Sequence, residues 1–401
     1  MELRPGYKQT EVGVIPEDWE VVAFGEEFRI SAGGDVKPEL SSSEQDELHC
    51  FPIYSNALSD NGLYGYCSYS NHPAESITIT ARGTLGVATY RDHRYTAIGR
   101  VLVLEPKRES VGKYFAEFIN ARIKFAVEST GVPQLTAPQV SSYLLAVPPV
   151  SEQRAIASAL SDVHDSIDGL DRLIAKKRGI KQAAMQRLLN GQTRLPGFVG
   201  QWQSINMAKN SVLKARIGWQ GLTTAEYMDS GLYGLVTGTD FIRGKIDWDH
   251  CHFVEKERYD QDINIQLHTD DILLTKDGTI GKAAFVDTLP YPATLNSGVF
   301  VIRPKNDSYV PKYLFYVLGS RAFTEFLNRL QAGSTISHLY QKDFISFEFP
   351  APPTKDEQAA IAAVLSNMDV EIAALESRRT KTLDIKQAMM QELLTGKTRL
   401  L

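Results

Sequence analysis

The sequence predicts an α+β protein built as two similar mixed α/β domains, each closing on one long helix, and three observations predict it. First, IKQAAMQRLLNGQTRL, Ile180 to Leu195, returns as IKQAMMQELLTGKTRL, Ile385 to Leu400. A shift of 205 positions superimposes the copies without a gap back to Glu152 and Glu357, and 22 of the 44 pairs are identical. Such a period is too long for a solenoid and divides the chain into two large halves. Second, both copies carry a seam of apolar residues in steps of three and four, as a coiled coil does. Third, the segment ahead of each helix follows one plan: ARGTLGVA, Ala81 to Ala88, returns as KDGTIGKA, Lys276 to Ala283, and VLVLEPK, Val101 to Lys107, returns as VFVIRPK, Val299 to Lys305.

In chain order, residues 1–150 form the first domain. Short β-branched runs at Ser76–Thr80, Gly86–Tyr90 and Arg100–Glu105 predict strands between glycine turns. Lys113–Glu128 spaces its apolar residues as a helix. A polar loop follows, and Pro148-Pro149 stops one element ahead of the next. The first long helix is expected from Glu152 to Asn190 within a segment 151–195, with early negative charge at Glu152 and a glycine stop at Gly191. Its seam is Ile156, Leu160, Val163, Ile167, Leu170 and Ile174. At roughly 58 Å it is too long and its stripe too narrow to be the core of either half. Residues 196–353 repeat the domain, and 354–401 carry the second helix, expected over Glu357–Thr395 with its seam at Ile361, Leu365, Met368, Ile372 and Leu375.

The net charge of −5 argues at first sight against a polyanionic partner. Its distribution says more. No acid occurs from Arg172 to Ala225, a stretch that holds Lys176, Lys177, Arg178, Lys181, Arg187, Arg194, Lys209, Lys214 and Arg216. Such a run is a footprint for phosphates or an acidic protein surface, or a solvated helix face. No run approaches the roughly 18 apolar residues of a membrane span, and three scattered cysteines fit a reducing compartment, so a cytoplasmic protein without a membrane partner is expected.

Catalytic motifs are missing. Gly278-Thr-Ile-Gly281-Lys282 is too short for a phosphate loop and ends on Ala283 where Ser or Thr must meet magnesium. The carboxylates and lysine of Asp92 and Glu105-Pro-Lys107 have a loose nuclease spacing, but the second half has Arg303-Pro-Lys305 there. His250-Cys251-His252 lacks a second ligand pair for zinc. No metal site and no catalytic residue are predicted.

The entry GVIPEDWEV, the paired prolines before an EQ-xx-I helix start, and the LLxGxTRL helix end, all repeated, resemble the specificity subunit of type I restriction-modification enzymes over essentially the whole chain. The resemblance implies two target recognition domains and two helices packed as an antiparallel coiled coil. It also implies a non-catalytic chain. Its partners would be double-stranded DNA, two modification subunits carrying S-adenosylmethionine chemistry, and motor subunits that use ATP and magnesium and restrict. Each domain would read one half of a split target, with half-sites about 34–36 Å apart if they share one face of the duplex. A two-headed coiled-coil scaffold for proteins is the alternative.

The loops ahead of each long helix, Ser129–Thr136 and Gly333–Tyr340, are the candidate DNA contacts. They occupy the same place in both halves and differ in content. Gln134 has the amide to pair with adenine, and Thr136, Ser334, Thr335, Ser337 and His338 can meet phosphates or bases. Arg82 and Lys276, ahead of the repeated Gly-Thr turn, are the next candidates, against the alternative that these loops only cap the domains.

Overall fold

The computed structural model describes residues 4–126, 133–217, 221–331 and 338–400. The strands of the first domain include β1 (Glu20–Ala23), β2 (Phe28–Ala32), β3 (Phe51–Tyr54), β4 (Leu63–Cys67), β5 (Ser76–Thr80), β6 (Ala88–Arg91), β7 (Thr96–Ala97) and β8 (Val101–Pro106). Helix α1 (Gly112–Arg122), the short α2 (Ala137–Ser141) and β9 (Leu144–Val147) lead into the long α3 (Val150–Leu188). The central sheet has the order β2-β8-β5-β6, all antiparallel, and β9 returns to pair with β1. β5 is buried along its whole length, because the sheet is covered on both faces. Helix α1 ends at Arg122, well short of the expected Glu128. Its buried face, Tyr114, Phe115, Phe118 and Ile119, has the predicted phase.

The second domain repeats the plan. Strands β10 (Gln203–Asn206), β11 (Ser211–Lys214), β12 (Tyr233–Val236), β13 (His252–Val254), β14 (Ile272–Thr275), β15 (Ala283–Phe285), β16 (Ala293–Leu295) and β17 (Val299–Pro304) precede helices α4 (Pro311–Leu318) and α5 (Arg321–Gln331). Strand β18 (Glu348–Ala351) then leads into the long α6 (Lys355–Leu393). The sheet order β11-β17-β14-β15 matches that of the first domain, and β18 pairs with β10 as β9 does with β1. β12 and β16 pair in parallel, as do β3 and β7.

By packing, the chain forms two compact units, one of residues 1–171 with 377–401, the other of 172–376. Each therefore holds one domain, half of α3 and half of α6, whereas the sequence boundaries treat the helices as separate segments. In the first unit Glu152 pairs with Arg399 and Asp171 with Arg379. In the second, Arg178 pairs with Glu376, Lys181 with Asp369 and Arg194 with Glu357. Partner numbers fall as the first number rises, so the helical segments of each unit run antiparallel. Ile156, Leu160, Ile167, Leu170, Ile174, Ile361, Leu365 and Ile372 are buried, Val163, Met368 and Leu375 half-buried, and Val370, one step off the seam, is exposed.

The helices do more than the sequence suggested. Ile156, Ala157 and Leu160 join Leu393 and Leu394 in the core of the first unit with Trp19, Tyr114 and Phe115. Leu188, Leu189, Ile361, Ala362 and Leu365 join Tyr313 and Phe349 in the second. Neither long helix is by itself the core of a half, but the helix ends join both cores, each large apolar side chain there contributing roughly 1.5–3 kcal/mol of burial. Nor was the membrane expectation complete: α6 is long and apolar enough, by length and composition, to cross a membrane. Alanines raise that apolarity, while Asp369 within it forms an ion pair and Leu365 lies in a protein core.

Candidate nucleic-acid interface

Each domain is tied to its helices by the repeated motifs. Glu152, 1% exposed, accepts from Trp19 Nε1 at 2.9 Å and from Arg399 Nε and Nη2 at 2.7 and 2.8 Å. Arg399 also clamps Asp18, holding that carboxyl below the usual range. In the second unit Glu357 accepts from Arg194 Nε and Nη2 at 2.8 and 2.7 Å, and Arg194 donates further to the carbonyls of Val199 and Gly200. The neighbouring glutamine closes the domain: Gln153 Oε1 accepts from Val111 N and Gln358 Oε1 from Val310 N, both at 2.9 Å. Glu-Gln at the helix start is thus a buried lock, where sequence alone offered early negative charge.

At one edge of each domain the strand ends converge on a tight turn. In the first, Thr80 Oγ1 donates to Thr84 O and accepts from Val87 N. Thr275 does the same with Thr279 O and Lys282 N. Gly86 and Gly281 have φ of 82° and 83°, and a Cβ there would meet the Phe125 ring at 2.6 Å or run into Leu327 Cδ1, so glycine is favoured at both. The loop before the long helix crosses this turn: Leu135 N donates to Ala81 O at 2.9 Å, and Leu339 N to Lys276 O at 2.7 Å.

The predicted residues meet here in part. Arg82 and Gln134 form a bridge, with Arg82 Nε donating to Gln134 Oε1 at 2.9 Å, and Asn56 Nδ2 holds the Arg82 carbonyl at 3.0 Å. In the second domain the same bridge joins Asp277 and His338, whose Nδ1 meets the Asp277 carboxylate. Arg82 therefore corresponds to Asp277, and Lys276 to Ala81. That is the register in which ARGTLGVA and KDGTIGKA align; of the two further candidates, Lys276 is half-buried with Nζ 5.6 Å from the centre of the Phe300 ring. Thr136 serves locally, capping α2 through a bond from Gln139 N. Ser334, Thr335 and Ser337, like Ser129–Val132, lie outside the described residues.

Sequence reading passed over Arg100. It lies between β7 and β8 on the same edge, its carbonyl accepting from Ala81 N at 2.8 Å, and it is exposed with a φ of 76°. Gly298 holds the equivalent place, accepting from Lys276 N at 2.9 Å. A mismatch of Arg100 against Gly298 just ahead of VLVLEPK and VFVIRPK is the sequence signal that marks it.

Much of the basic run is used inside the chain. Lys177, Arg178 and Lys181 pair with Glu371, Glu376 and Asp369, and Arg194 with Glu357. Arg216, 2% exposed, donates to the Leu295 carbonyl at 2.9 Å, and burial lowers its pKa. The four-residue cationic cluster Lys176, Lys177, Arg178 and Lys181 is thus largely neutralised by carboxylates of α6. Lys176 is exposed and has no ion pair among the described residues.

The repeated architecture has counterparts. Residues 16–176 and 226–384 match the family described as type I restriction modification DNA specificity domain, and the chain belongs to that family. It is 22% identical over 410 residues to the specificity subunit of the type I restriction enzyme MjaVIII of Methanocaldococcus jannaschii, covering 96% of this chain and 94% of that one. It is 18% identical to the EcoDI specificity subunit of Escherichia coli, over 88% of this chain and 82% of that one. Its fold matches the crystal structure of an S subunit from M. genitalium with a TM-score of 0.65, at 14% identity, over 98% of both chains. The chain is a type I restriction specificity subunit with two DNA specificity domains.

Proposed function

We propose that each domain reads one half of a bipartite duplex target through the edge that carries its tight turn. The chain then positions two modification subunits for adenine methylation and, with motor subunits, directs restriction in the cytoplasm. S-adenosylmethionine, ATP and magnesium belong to those partners, and this chain supplies no catalytic group. One observation carries the reading: the two edges share backbone and turn chemistry but present different groups, Arg82 with Gln134 on one and Asp277 with His338 on the other. A scaffold kept constant under changing polar groups is what two different half-sites require, since base edges are told apart by donor and acceptor pattern.

The test is a domain exchange. Replacing residues 196–353 with the same region of a relative, in the assembly with modification subunits, should change one half of the selected target and leave the other. A change in both halves would break the modular reading. Absence of any salt-sensitive duplex binding by the assembly would favour the protein scaffold instead.

A further inference from the structure

Eight residues other than glycine have a left-handed backbone among the described residues. Five are Asp or Asn (Asp60, Asn61, Asp270, Asn306 and Asp307), types that enter this region readily. Three are not: Glu75, Arg100 and Arg243. Arg243 pairs with Glu376, and Glu75 lies against the Tyr90 hydroxyl. The Arg100 side chain has no hydrogen bond, ion pair or ring contact among the described residues, while its backbone is fixed by the bond from Ala81 N. The second domain makes the equivalent bond to Gly298, which is not left-handed, so the fold itself calls neither for an arginine nor for that conformation here.

We infer that Arg100 is a base-reading residue of the first domain, its guanidinium contacting a guanine in the major groove of the first half-site. The inference rests on the DNA-reading function proposed above. A long cationic side chain kept in an unfavourable backbone conformation, without a partner among the described residues, points to a partner outside the protein. A phosphate can be met by any flexible surface lysine, whereas a base edge demands a fixed origin and a forked donor, which a pinned arginine supplies. Arg82 lies at the next backbone position of the same turn but already spends Nε on Gln134. That leaves Arg100 as the uncommitted fork of this edge among the described residues.

The experiment uses the chain assembled with its modification subunits and the duplex that the wild-type assembly selects from a random pool. Arg100→Gly copies the second domain's residue, and Arg100→Gln keeps a long side chain without charge. Each is titrated against every single-base variant of both half-sites, with thermal melting alongside. Arg100→Gly should melt no lower than wild type. Both variants should bind the selected duplex about 5- to 150-fold more weakly and lose preference at one G·C pair of the first half-site. Preferences in the second half-site should stay as they are. An unchanged preference profile overturns the inference. So does an equal loss over all variants with a salt slope reduced by about 1, the mark of a phosphate contact. Failure of the wild-type assembly to select any bipartite duplex sinks the proposed function itself, an outcome visible before any variant is made.

Discussion

The two domains agree where side chains are buried and differ where they meet solvent at one edge. Glu152 and Glu357 each hold an arginine from the end of the other long helix, and Gln153 and Gln358 each cap a backbone N–H of the domain. Thr80 and Thr275 organise the same turn. Yet where the first domain has Arg82, Gln134 and Arg100, the second has Asp277, His338 and Gly298. Residues that fix the backbone have been kept through the duplication, and residues whose side chains leave the scaffold free have diverged.

The largest effects should come from the locks. Removing the arginine leaves a buried glutamate uncompensated, so Arg194→Ala and Arg399→Ala should each lower stability in urea unfolding more than loss of any exposed pair would. Here the halves are not equal: Glu152 would retain its bond from Trp19, while Trp202 Nε1 has no partner among the described residues. Arg194→Ala should be the more damaging, and the reverse order would show that the locks are not equivalent in the way their geometry indicates. Next come the paired seam positions. Leu160 and Leu365 are both fully buried, so Leu160→Ala and Leu365→Ala should each cost about 2–5 kcal/mol, with similar values expected from similar surroundings.

Smaller effects belong to the reading edge. Gln134→Ala and His338→Ala should each cost about 1–3 kcal/mol of DNA binding at one base pair of their own half-site, measured against all single-base variants. Unchanged preference in both would remove these loops from the recognition surface. The smallest stability effects should be on the basic run, where exposed pairs such as Lys177 with Glu371 contribute about 0.2–1 kcal/mol. Lys176→Glu should leave thermal stability alone and weaken binding to DNA or to a modification subunit across a salt series; wild-type affinity for both would make this a solvated face.

What could be read in advance follows the range of the interactions. The strand Ser76–Thr80 and the phase of α1 follow from local patterning, and the long helices begin and end within two residues of their expected bounds. Glu152 looked like an ordinary first-turn acid because its partner Arg399 is 247 residues away. Likewise, Lys181 looked free because Asp369 sits 188 residues on. At the candidate site, repetition located the turn and the loop with Gln134 and already set Arg82 against Asp277, but that Arg82 meets Gln134 and Asp277 meets His338 appears only from strand pairing. Arg100 shows in the sequence only as a mismatch with Gly298, and its backbone angle is visible in the structure alone.

The crossed locks also bear on descent. A single half, residues 1–195, carries both the glutamate at the head of its helix and the arginine at its tail. Two separate copies of such a half could exchange tails and close both locks without any covalent link between them. A duplicated gene would then have inherited a working fit at birth, and later recombination could replace either set of reading residues provided that it left each glutamate with an arginine to receive.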